Sequence, residues 1–127
     1  MTPINPADVV KPASNYAQAV RHSLKGERLV VSGQLGLKPD GRLETGMEAQ
    51  MSQAWANVFA IMKAAGFERH HMAKATVYVT LADQTALYRK VRDAALGGHV
   101  CAMTYLQVAG LAAPEFLVEI EAEAMKE

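Results

Sequence analysis

Between residues 47 and 65 the apolar side chains Met47, Met51, Ala54, Trp55, Val58, Ile61, Met62 and Ala65 recur at steps of three and four. That period puts them on one face of an α-helix, a stripe wide enough that the rest of the chain must cover it. Thr45 and Glu48 stand three apart just ahead of the series and have the spacing of a capping box, so the helix is expected to start there. Gly66 can supply its left-handed end. The methionines and Trp55 read as core filler, because methionine adapts to irregular gaps.

The segments before this helix read as strands and turns. Residues 1–13 carry Pro3, Pro6 and Pro12, which set backbone angles and remove ladder donors, so they form an extended lead-in. Tyr16–Ser23 is a weak strand, and Lys25-Gly26-Glu27 is a turn expected to fold it into a hairpin with Leu29–Gly36. In that second strand the apolar run Leu29-Val30-Val31 halts at Ser32-Gly33. Gly33 marks either a bulge or a place where another group approaches bare backbone. Pro39 followed by Asp40-Gly41 has the composition of a tight turn.

After the helix, Glu68–Met72 is a charged connector containing His70-His71. Adjacent histidines diverge and no third ligand stands at a chelating spacing, so no metal site is expected. Lys74–Leu81 alternates as a half-buried strand. Asp83 is placed to cap a second helix with Leu87, Tyr88, Val91, Ala94 and Ala95 on its apolar side and Gly97-Gly98 at its end. Arg89 and Arg92, three apart on that helix, read as a solvated face. Thr104–Val108 and Phe116–Ala124 are two further strands, the latter alternating Glu119, Glu121 and Glu123 with Val118, Ile120 and Ala122. Two helices cover only one face of such a sheet. The other face, with Tyr78, Tyr105 and Leu117 outward, is expected to be buried by self-association into a closed ring.

Charge and cysteine content narrow the partners. Thirteen basic and thirteen acidic residues cancel, so there is no basic field to displace counterions from a phosphate backbone and nucleic acid is not expected as a partner. A lone cysteine, Cys101, excludes an intrachain disulfide and fits a reducing compartment; it reads as inert packing. No apolar run approaches the roughly 20 residues of a bilayer crossing and no leader-like start is seen, so a cytoplasmic protein without membrane contact is expected.

Several short stretches together carry a family resemblance. Asn15-Tyr16-Ala17-Gln18-Ala19, Val31-Ser32-Gly33-Gln34, Gln50 with Ala56-Asn57, Ala64-Ala65-Gly66, Lys74-Ala75-Thr76-Val77-Tyr78-Val79 and Val118-Glu119-Ile120-Glu121-Ala122 resemble, in register over nearly the whole chain, the RidA/YjgF family. The resemblance implies one α+β domain spanning residues 1–127 with the chorismate-mutase-like fold: a mixed sheet, two helices on one face, and a homotrimer with small-molecule clefts between subunits. The better-known members hydrolyse reactive imines and enamines, releasing ammonia, and no cofactor is expected.

Imine hydrolysis asks for a water aimed at an electrophilic carbon, a group to manage its proton, and an anchor for the substrate carboxylate. By the resemblance, Glu119 is the water-orienting carboxylate, Tyr16 the pocket tyrosine, and Ser32 and Gly33 the backbone wall. Tyr105 stands where many members have cysteine, and Arg89 near a position where many have asparagine. Met103 occupies the position of the arginine of the active deaminases, and Cys101 that of a usual proline. Methionine brings neither charge nor donor. The resemblance therefore implies a divergent deaminase whose substrate differs from 2-iminopropionate and 2-iminobutanoate. The alternatives are a non-catalytic small-ligand-binding or regulatory trimer and, more remotely, the endoribonuclease activity attached to the family by name.

Overall fold

The computed structural model describes residues 1–127. Its elements are β1 (Thr2–Ile4), β2 (Ala19–Arg21), β3 (Glu27–Leu35), α1 (Met47–Ala64), a 3₁₀ turn at Arg69–His71, β4 (Met72–Val79), α2 (Thr85–Leu96), β5 (Ala102–Gln107) and β6 (Val118–Lys126). Strands β3, β6, β4 and β5 lie in that order in one sheet, with β4 and β5 parallel and the other pairs antiparallel. Both helices cover one side of this mixed sheet. No helix is long and apolar enough to cross a membrane.

The alternation of β6 sorts the two faces. Val118, Ile120, Ala122 and Ala124 are buried against the helices, which turns Glu119, Glu121 and Glu123 to the helix-free side. On α1, Met47, Met51, Ala54, Trp55, Val58 and Met62 enter the same core. Ile61 and Ala65, at the fringe of the stripe, stay exposed.

Two amides tie α1 to the strands beneath it. The buried Gln50 side chain donates to the Glu115 carbonyl at 3.1 Å and accepts from the Leu117 N–H at 2.9 Å, two residues before Glu119. Asn57 Nδ2 donates to the carbonyls of Leu35 and Leu37 at 3.0 and 2.8 Å, just beyond Gly33. Each spares a loop carbonyl or N–H the cost of burial without a partner. Together they set where β3 ends and where β6 begins.

Some local expectations are corrected. Helix α1 starts at Met47 with Gly46 as N-cap and no side-chain cap; Thr45 lies one residue too early, beyond a glycine at φ 88°. Asp83 has φ 61°, a left-handed turn, so the chain enters α2 one residue later through Gln84, again with no side-chain cap. The C-terminal glycines behave as read, with Gly66 and Gly97 left-handed at φ 81° and 58°.

The hairpin between Tyr16–Ser23 and β3 does not form. Strand β2 pairs instead with β1 inside the proline-bearing lead-in, and Ala17 bridges to Ala102 at the start of β5, its N–H donating to the Cys101 carbonyl at 2.8 Å. Ala17 is buried there. Docking on the β5 edge both satisfies that donor and hides the methyl.

Candidate functional site

The residues expected to form a site fall into two regions on opposite sides of the sheet. The first is on the helix-free face. The register between β3 and β6 slips between Val31 and Gln34, so Ser32 and Gly33 form a bulge. A Cβ built on Gly33 would overlap the Glu119 carboxylate, whose oxygen lies directly against the bare backbone. Both readings of Gly33 therefore hold at once: it is a bulge, and a polar group does approach there. Tyr78 opposes Glu119 across β4 and β6, but its hydroxyl donates to Glu121 Oε1 at 2.6 Å, which holds the phenol pKa above its usual value. Glu119 is left over the glycine.

The second region is a cavity of about 480 Å³ at the β5 edge, between α2 and the docked segment before β2. Tyr16, Arg89, Met103 and Tyr105 all line it, so four of the residues singled out in the sequence do meet. Tyr105 is not outward as expected. It lies opposite Val77, on the helix side, where its ring stacks on Tyr88 with centroids 4.4 Å apart. Leu117 likewise packs against the core instead of facing out. The parallel register of β5 on β4 turns Met103 and Tyr105 to the same side as Ala75 and Val77.

Arg92 is the residue that the sequence reading misplaced. It has 0% relative exposure and lines the cavity. Its Nε donates to Asp93 Oδ1 at 3.0 Å, Nη1 makes long contacts to Ser14 Oγ (3.4 Å) and the Tyr88 hydroxyl (3.3 Å), and the guanidinium lies 5.0 Å from the Tyr88 ring centroid. Polarity alone suggested a wet helix face. The signal that was available is the row Tyr88, Arg92, Leu96 at steps of four, one ridge of α2 with an apolar or aromatic residue on either side. Burial raises the Tyr88 pKa against the opposing pull of Arg92. Burial also pushes the Cys101 thiol up to about 12, so it remains a protonated packing group near neutral pH.

His70 and His71 sit in the 3₁₀ turn, where His71 Nδ1 accepts the Glu68 N–H at 2.8 Å. Burial lowers the His71 pKa. No three His, Cys, Asp or Glu side chains come together as a cation-binding group.

A four-stranded mixed sheet with two helices on one face defines the class: a small α+β domain. Comparison with known proteins specifies it further. The family model described as Endoribonuclease L-PSP matches residues 7–126, and the chain belongs to this RidA/YjgF family. It is 32% identical over 119 residues to the RutC family protein PH0854 of Pyrococcus horikoshii, covering 92% of this chain and 91% of that one. A shorter match, 40% over 70 residues, to a RutC family protein of Aquifex aeolicus spans 54% of either chain. The crystal structure of the conserved Rid family protein YyfB from Yersinia pestis, described as of unknown function, superposes with a TM-score of 0.87 at 27% identity over 98% of both chains.

Proposed function

We propose that this protein is a divergent RidA-like deaminase that hydrolyses a small imine, enamine or amino-aromatic intermediate with release of ammonia. The observation that carries the reading is the Glu119 carboxylate seated on the bare backbone of Gly33. It leaves a flat, Cβ-less wall beside a proton acceptor. Water adds to the imine carbon while Glu119 takes one of its protons and passes it to nitrogen, giving a carbinolamine; the carboxylate then takes the hydroxyl proton and passes it to the same nitrogen, the carbon–nitrogen bond breaks, and a carbonyl and ammonia remain.

This carboxylate and the cavity of Tyr16, Met103, Tyr105 and Arg89 lie on opposite faces of one sheet. One chain therefore carries two half-sites, which a ring of copies would bring together as an intersubunit cleft. The helix-free face supports such a ring, because Val30 and Leu106 are 61% and 45% exposed on it. We expect a homotrimer, with Ser32 and Gly33 as one wall of the cleft and Arg89 at its rim.

Met103 favours the second reading, a ligand-binding trimer without catalysis, because it removes the strand-borne guanidinium from the cleft. The balanced charge of the chain argues against ribonuclease activity. The test pairs mass with turnover. Light scattering should give three times the 13.7 kDa chain mass. Ammonia release should be seen from imines longer than 2-iminobutanoate, with 2-iminopropionate and 2-iminobutanoate decaying no faster than in buffer. If no imine or enamine is turned over while a metabolite raises the melting temperature, the protein is a binding module.

A further inference from the structure

The buried arginine of α2 has a donor group without an acceptor. Nη2 of Arg92 is buried without a hydrogen-bond partner. It lies 2.9 Å from Asp93 Oδ1, near enough for charge attraction, yet that oxygen is aligned with Nε instead. A guanidinium has five N–H donors; here Nε is well used, Nη1 contacts two hydroxyls at the long limit, and Nη2 meets Asp93 only as a misaligned charge contact with no hydrogen bond. Leaving charged donors in this state is costly unless something else completes them.

The surroundings point to what that is. No acidic residue lines the cavity, whereas two guanidiniums, Arg89 and Arg92, do. Asp93, the one carboxylate paired with Arg92, has a side chain 43% exposed and also accepts from Asn15 Nδ2 at 3.2 Å, so it balances the charge only in part. The Ser14 hydroxyl, itself part of the lining, touches Nη1 at 3.4 Å. A contact that long is readily exchanged for a charged acceptor.

We infer that Arg92 is the carboxylate anchor of this chain's cavity, supplying from helix α2 the guanidinium that Met103 does not supply from β5. The ligand is an organic carboxylate whose oxygens replace the Ser14 hydroxyl and engage Nη1 and Nη2. The chemistry of the rest of the ligand rests on the deaminase reading above; the anchor does not. Anchoring from the helix changes the distance between carboxylate and Glu119, which is why the short 2-iminopropionate is expected to be a poor substrate.

The probe is 2-oxohexanoate, a stable keto acid longer than the products of 2-iminopropionate and 2-iminobutanoate, with 2-oxohexanamide as its uncharged match. Titrated into the full-length protein and followed by NMR, the acid should bind at least about tenfold tighter than the amide, as a charge-assisted contact implies. Arg92→Met should remove that preference, Arg92→Lys should keep only part of it, and Lys90→Ala, on the outer face of the same helix, should keep all of it. Should Arg92→Met fail to fold, the wild-type Arg92 Nε–Hε resonance, assigned with Arg92→Lys, must move on adding the acid and stay still on adding the amide. Equal affinities for acid and amide, an acid preference that survives Arg92→Met, or an unmoved Arg92 resonance would each overturn the anchor. An Arg92-dependent acid preference in a protein that hydrolyses no imine would leave the anchor standing and remove the deaminase. Imine turnover with no such preference would do the reverse.

Discussion

The two regions proposed as half-sites are built in opposite ways. The Glu119–Gly33 contact is a product of strand register: β6 alternates, β3 bulges, and the carboxylate lands on the one residue with no side chain to obstruct it. The cavity at the β5 edge is assembled from helix α2 and strand β5, which follow one another in the chain, and from the segment around Tyr16, which docks on them from far away in sequence. The first half-site is therefore set by local pattern and the second by docking. A register-built contact loses function when one atom group changes, whereas a docked cavity tolerates exchange of one wall if another wall supplies the same chemistry.

Substituting Glu119→Gln gives the sharpest break in this contrast. Turnover of any imine the protein accepts should fall by about 100-fold or more, the usual scale for losing a general base, while thermal stability holds because the carboxylate supports nothing beneath it. Undiminished turnover would strip Glu119 of its role. In the cavity, Met103→Arg restores a guanidinium to the strand and should raise 2-iminopropionate hydrolysis by roughly tenfold, on the scale of one charge-assisted hydrogen bond. No gain in a coupled keto-acid assay would mean that the missing strand arginine is not what limits this substrate.

Smaller effects separate contact from fold. Gly33→Ala forces the Glu119 carboxylate aside, but that group is the tip of a flexible chain. A loss of about 1 kcal/mol in urea unfolding is expected, and it should vanish when Glu119→Ala is combined with it. If the loss persists in the double variant, backbone strain and not the carboxylate is responsible.

The slightest effect concerns Cys101. Burial pushes its folded pKa up to about 12, above the ordinary thiol value, so the folded state keeps the thiol proton over a range in which the unfolded chain has released it. The contribution is complete below about pH 9 and is lost as pH rises towards about 12. Cys101→Ala should flatten that alkaline fall in melting temperature, and an unchanged slope would assign it to other groups.

Much of the fold is legible in the residues because local periodicity carries it. The three- and four-residue steps of α1, the alternation in β6 and the glycine ends of both helices are all found where the pattern places them, whereas β4, central in the sheet, starts two residues early at Met72 and is buried at nearly every position, Thr76 included. What pattern misses is pairing between distant segments. A three-residue strand such as β2 has too little sequence to announce its partner, and it takes β1 instead of β3. Caps are missed for a related reason: whether Thr45 or Asp83 serves depends on the backbone turn beside it, at Gly46 and at Asp83 itself.

The candidate site divides along the same line. The resemblance marks Tyr16, Arg89, Met103 and Tyr105, and Gly33 and Glu119, only as single positions; that the first four share a cavity and the last two touch is visible only in the folded chain. By itself the sequence determined the helix stripe, the strand alternation, the family and the absence of arginine at position 103, because each is a property of residue order. The tertiary structure alone decided that Arg92 is buried beside Met103 and that the two half-sites face away from each other. Burial and charge pairing depend on which distant surfaces meet, and no single helix or strand encodes that.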